Sequence, residues 1–190
     1  MGLGPIDESD PDAWWDVVAQ NLRSSHLTAR AVLPGMRAAR RGTIVNVSSV
    51  NAIVNLPFSG MYGATKRALE GLSESLALEL AAFGIRVRVV EPSGYKTSIV
   101  ENALVPELPG PSSPYWDGLQ RMREASRATN DLAPDLTPVA EAIHAAAFDD
   151  RPELRRPVGL HAPQVARMRR ELDDVALFAE LAKMIDDSSG

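Results

Sequence analysis

The sequence predicts an α/β fold in which helices wind around a parallel sheet. The run "TIVNVSS" (43–49) is rich in β-branched residues and apolar on both faces, which suits a buried parallel strand better than a half-exposed one. "IRVRVVEP" (85–92) reads as a second strand of the buried type. They alternate with long helical stripes, so the order is helix, strand, helix, strand. That order is the signature of right-handed βαβ winding in a parallel sheet.

The elements follow in turn. Residues 11 to about 41 read as one long helix, with Ser9 or Asp10 as cap and Pro11 at the first helical position, where its missing N–H costs nothing. Trp14, Val17, Val18, Leu22, Leu27, Val32 and Leu33 approximate its apolar stripe. Pro34 is expected to kink or end the regular part, and Gly42 to stop the segment. The first strand follows, then a loop over 51–60 punctuated by Pro57 and Gly60. A helix over 61–83 carries Leu69, Leu72, Leu76 and Leu80 on one stripe, with Gly84 as its left-handed cap. The second strand is expected to end at Pro92.

Residues 98–137 differ in character. Six prolines in "VPELPGPSSP" and "LAPDLTP", the last just past its end at Pro138, with a short helix near 115–128, mark this insertion as a candidate substrate lid. Tyr115 and Trp116 would line a pocket there or pin the lid. A capped helix over 137–148, a short edge strand over 155–161 and a C-terminal helical stretch complete the chain. The domain reading is a partial sheet domain over 1–165 and a helical extension over 166–190.

Composition narrows the function. The 190 residues suit one domain, with 45% hydrophobic and 24% charged residues. The net charge of −5 and the absence of a basic stripe argue against nucleic-acid binding. With no cysteine there is no disulfide framework, thiolate metal site or cysteine nucleophile. None of the three histidines has metal-ligand spacing, so no metal is expected. No apolar run approaches the roughly 20 residues of a membrane span, and no leader pattern is seen, so the expected location is the cytoplasm.

The chemistry centres on "YGATK" (62–66). Taken alone, Tyr-x-x-x-Lys is weak, since three tyrosines and three lysines give that spacing in about 5% of shuffled chains. Context strengthens it. Ser49 lies at the C-terminal end of a buried strand, where open parallel sheets hold their ligands. Tyr62 and Lys66 lie one turn apart on one face of the next helix. The second strand ends in "EPSGYKT" on the same rim of the sheet. Ser48 reads as a structural strand-end serine.

These pieces resemble the classical short-chain dehydrogenase/reductase family: "NVSS" (46–49), "YGATK" (62–66) and "EPSGYKT" (91–97), with Asn21 upstream at the fourth catalytic position. The resemblance runs from about Gly4 to His161 and implies a Rossmann-like doubly wound sheet. It also implies hydride transfer between NAD or NADP and a secondary alcohol or ketone. In that reading Tyr62 is the general acid/base, and Ser49 holds the substrate oxygen. Lys66 favours the phenolate and binds the nicotinamide ribose, and Asn21 positions a relay water. Pro92, Ser93, Gly94 and Thr97 cradle the nicotinamide side, with Ser93 standing where the family usually has glycine. A homodimer or homotetramer formed through the helices at 12–40 and 61–83 is implied as well.

The family's Thr-Gly-x-x-x-Gly-x-Gly turn and Asn-Asn-Ala-Gly strand end have no counterpart in the sequence. The expectation is therefore the C-terminal part of the fold, with the N-terminal βαβ units, on the order of 80–90 residues, absent. A sheet of that kind leaves a hydrophobic edge open to pairing. A second reading stays beside the enzyme: a catalytically inactive fragment serving only in oligomerisation or interaction. A serine hydrolase is disfavoured, because there is no Gly-x-Ser-x-Gly elbow and no histidine partner for Ser49.

Overall fold

The computed structural model describes residues 3–95, 109–132 and 135–187. Three parallel strands form one sheet in the order β1 (Gly42–Val47), β2 (Ile85–Ser93), β3 (Arg155–Gly159). Gly42 aligns with Ile85 and Val47 with Val90, while Val89 aligns with Arg155 and Ser93 with Gly159. The central strand β2 therefore carries both pairings.

Helices cover both faces. On one, α2 (Ser24–Ala39) and α4 (Gly60–Leu80) pack Ala29, Leu76 and Leu80 against Ile85 and Val87. On the other lies α6 (Thr137–Phe148), beside which Arg86 reaches the carbonyls of Ala147 and Asp149. Burying a leucine such as Leu76 or Leu80 contributes about 1.5–3 kcal/mol. A second core joins Val54 to Val165, Leu177 and Leu181. The latter three lie on α7 (Ala162–Glu171) and α8 (Asp174–Asp187). No helix among the described residues is long and apolar enough to cross a membrane.

The doubly wound parallel arrangement agrees with the sequence, and several details depart from it. The first helix begins as expected: Asp10 caps α1 (Pro11–Val18), accepting from the Asp12 N–H at 3.0 Å. Pro34, however, lies inside α2 without ending it. The irregularity sits earlier, in a π-helical turn over Ala19–Arg23. The helix closes on Arg40 at φ 49, whose guanidinium donates to the Ala82 carbonyl at 2.8 Å, and Gly42 already belongs to β1.

The strands differ too. Strand β2 runs through Pro92 to Ser93, with Pro92 opposite Val158. β1 is only half-buried, because its outer edge has no strand partner among the described residues; Val47 at its end is 40% exposed. The open edge is what the sequence led one to expect; the depth of burial is not. Residues 51–53, read as loop, belong with Val50 to one helical turn, α3 (Val50–Ile53), capped by Ser49. Helix α5 runs over Trp116–Leu132. The C-terminal stretch breaks into two helices at Leu172, whose backbone is extended.

Candidate active site

Ser48 and Ser49 leave the C-terminal end of β1. The Ser48 N–H still donates to the Val90 carbonyl at 2.7 Å, prolonging the ladder by one bond. Its hydroxyl donates to Glu70 Oε1 at 2.7 Å, the structural role expected of it. Ser49 is extended (φ −166°, ψ 156°), and its oxygen accepts from the Asn51 N–H at 3.2 Å as the cap of α3. That cap fixes the hydroxyl at the rim, next to Tyr62.

Tyr62 and Lys66 occupy the first two turns of α4. The Tyr62 side chain is packed in, at 7% exposure. Burial pushes its phenol above the usual tyrosine range, and the Ser49 hydroxyl, hydrogen-bonded to it, pulls partly back. Lys66 Nζ stands 5.7 Å from the Tyr62 ring centroid and donates to the Val47 carbonyl at 2.9 Å. Burial lowers its ammonium below the ordinary lysine value. Desolvation of the ring is thus the dominant influence on the phenol, ahead of the Ser49 hydrogen bond.

Gly63, between the pair, is required by space. A Cβ there would fall 1.4 Å from Asn55 Oδ1 and 2.9 Å from the Asn51 carbonyl. The absence of a side chain lets the α3 segment, and hence Ser49, sit against the start of α4.

Asn21 lies in the π-turn. Its side-chain amide donates to Thr65 Oγ1 at 2.9 Å, and Thr65 in turn donates to the Tyr62 carbonyl at 2.7 Å. The side chain thus ties the π-turn to the helix between Tyr62 and Lys66 rather than touching Lys66 itself. Asn21, Lys66 and the outer edge of β1 line a groove of about 480 Å³ between the long first helix and the sheet.

On the adjacent strand, Pro92 and Ser93 end β2, and Gly94 takes a left-handed φ of +68°. A Cβ at Gly94 would press on Leu160 at 3.2 Å, so both conformation and space favour glycine there. Thr97, and residues 98–108 and 133–134 of the proline-rich segment expected to be a lid, lie outside the described residues. Within the described part, Tyr115 donates to Asp7 Oδ2 at 3.2 Å and meets Phe58 edge-on, while Ser113 donates to Glu8. These contacts tie residues 113–115 to the loop before α1.

The sequence reading missed a cluster beneath this rim, in which the buried Glu70 and Glu91 meet the more exposed Arg155. One signal was available: Glu91 is the lone acid of its strand and follows directly on the apolar pair Val89–Val90.

The short chain dehydrogenase family matches residues 1–106. The 3-ketodihydrosphingosine reductase of Bacteroides thetaiotaomicron is 45% identical over 92 residues, 48% of this chain and 34% of that protein. A short-chain dehydrogenase from Streptomyces avermitilis superposes with a TM-score of 0.78 at 27% identity, covering 99% of this chain and 66% of the other. A 3-oxoacyl-[acyl-carrier protein] reductase from Brucella melitensis, solved with bound NAD, gives 0.60 at 28% identity, over 84% and 56% of the two chains. The chain thus spans between a third and two thirds of the length of these relatives. With a parallel Rossmann-like sheet and a family match over more than half its length, the chain belongs to the short-chain dehydrogenase family.

Proposed function

We propose that the chain carries the catalytic end of an NAD- or NADP-dependent oxidoreductase that interconverts a secondary alcohol and a ketone. The observation that carries this reading is the convergence of the Ser49 hydroxyl, the Tyr62 phenol and the Lys66 ammonium on one rim from two separate segments.

The residues present fit the nicotinamide-ribose end of such a cofactor. Lys66 has three N–H donors, of which one is committed to Val47, leaving two for ribose hydroxyls. Gly94 and the Pro92–Ser93 strand end offer a close backbone approach beside them, and Thr97 is assigned to the same turn by resemblance. Groups for the diphosphate are not among the described residues. The nicotinamide, when bound, supplies or accepts the hydride at the substrate carbon.

The side chains handle the proton. In the reducing direction the Ser49 hydroxyl and the protonated Tyr62 phenol both donate to the carbonyl oxygen and hold it in line. As the C–H bond forms, the Tyr62 O–H bond breaks and its proton passes to that oxygen. The resulting phenolate is stabilised by Lys66 and reprotonated through water held in the groove beside Asn21. Burial of Tyr62 favours its acid form, so the resting site is set for carbonyl reduction; alcohol oxidation needs the phenolate and gains from alkaline pH. In this reading the enzyme works in the cytoplasm as a homodimer or homotetramer packed through its two long helices.

The test is a fluorescence titration of the purified chain with NADH and NADPH. Saturable binding that weakens in Lys66→Ala supports the reading. No binding at millimolar cofactor overturns it and leaves the interaction-module alternative.

A further inference from the structure

Below the catalytic rim, on the sheet face covered by α4, two carboxyl groups are buried against each other. Glu91, on β2 one residue before the Pro92–Gly94 turn, is 1% exposed. Glu70, on α4 one turn beyond Lys66, is buried as well. Both carboxyl oxygens of Glu70 are engaged as acceptors. Its Oε1 takes the Ser48 hydroxyl at 2.7 Å, and its Oε2 takes Arg155 Nε at 2.9 Å. Arg155, from the start of β3, spans onward to Glu74, so its guanidinium is shared.

Glu91 is served differently. Its Oε1 has no hydrogen-bond partner among the described residues and lies 3.8 Å from Arg155 Nε. Glu70 Oε2 meets the same Arg155 Nε at 2.9 Å, so the two buried carboxyls flank one guanidinium nitrogen. Two buried carboxylates in such contact cannot both ionise, because a single shared guanidinium cannot offset both charges at that burial. One proton must stay on the pair, and it belongs on Glu91, since Glu70 already receives two donors. Burial first, and then the negative Glu70, push the Glu91 carboxyl up to about 8, against the pull of Arg155 and of Arg170 on α7. The groups facing Glu91 are therefore Glu70 from α4, Arg155 from β3 and Arg170 from α7, with Glu74 reached through Arg155 and Ser48 through Glu70.

We propose that Glu70 and Glu91 form a one-proton acid pair that locks the Ser48–Ser49 strand end to β2, making both of them positioning residues for the site above. The link is continuous. Ser48 is held by Glu70, Glu70 and Glu91 flank the same Arg155 nitrogen, and Glu91 leads directly into the Pro92–Ser93–Gly94 turn. While Glu91 is protonated the pair carries a single charge facing Arg155. Once it ionises, two carboxylates repel each other across that contact, and the strand end carrying Ser49 loses its anchor. The inference rests on the proposed site for its meaning, but its test requires no turnover.

The sign is set by a raised acid. Glu91 is bound to a proton in the closed structure and is an ordinary carboxyl once exposed, so opening releases a proton between about pH 5 and 8. Hydrogen exchange of wild type and Glu91→Gln, corrected for intrinsic rates, reads this directly. In wild type, protection over residues 48–54 is expected to fall by up to about tenfold per pH unit across that window. Glu91→Gln cannot ionise, so its protection there should stay flat. Glu70→Gln weakens the hold on Ser48, so it should lower protection of 48–54 already at pH 6. Protection of α6, on the other face, should not share the Glu91-dependent slope. The same pH course in Glu91→Gln and wild type would overturn the proposal. So would a slope shared equally by α6, which would make the pair a general stability element. An inactive chain would leave this proposal standing, and a flat pH course would leave the Tyr62 reading standing.

Discussion

Lys66 Nζ lies 5.7 Å from the centre of the Tyr62 ring, yet its hydrogen bond goes to the Val47 carbonyl at 2.9 Å. The ammonium is thus oriented by the end of β1 rather than by the phenol. Its closest polar contact fixes its position and leaves its remaining donors for a ligand. The phenol answers mainly to its own burial and to Ser49.

That ordering predicts the titration of Tyr62. Burial raises the phenol and the Ser49 hydrogen bond lowers it, so removing the hydroxyl should raise it further. In ultraviolet titrations, the component lost on Tyr62→Phe should ionise above the ordinary tyrosine range. Ser49→Ala should move that component still higher. A Tyr62 component at or below the ordinary value would show that burial does not dominate.

Gly63 predicts a packing effect. Gly63→Ala puts a Cβ into Asn55 Oδ1 and close to the Asn51 carbonyl, so overpacking of about 1–3 kcal/mol is expected. Asn55→Ala in the same chain should recover part of it, because the backbone contact remains. Urea denaturation of the two variants measures both quantities.

How much of this was legible follows from the kind of signal each residue gives. The strands and α4 were readable because β-branched runs and a leucine stripe repeat at fixed periods. Gly84 closes the 3₁₀ turn after α4 at φ 70°, as its place in the sequence implied. Ser49, Tyr62 and Lys66 were readable because they stand at strand and helix ends. The Asn21–Thr65 bond and the Glu70–Glu91–Arg155 cluster were not readable, because they join residues 44, 21 and 85 positions apart. Only helix packing on the sheet and the sheet's own register bring those together. The π-turn was hidden for another reason: its sequence, "AQNLR", suits an ordinary helix, and the proline ten or more residues on drew attention away from it.

Asn21 offers a third expectation. Its amide bond to Thr65 is part-buried, so Asn21→Ala and Thr65→Val should each cost about 1 kcal/mol. The two losses should be less than additive in a double-mutant cycle, because both remove the same bond. Additive losses in denaturant titrations would mean that the π-turn is held to α4 by other contacts.

The central claim is that Tyr62 passes the proton while a nicotinamide exchanges hydride with a ketone or secondary alcohol. Loss of nicotinamide absorbance, followed with NADPH and NADH against a panel of ketones, tests it most directly in wild type and Tyr62→Phe. The account predicts turnover by wild type and a loss of at least about a hundredfold in Tyr62→Phe, with cofactor binding retained. Turnover in Tyr62→Phe equal to wild type, or none by wild type with either cofactor, would contradict it.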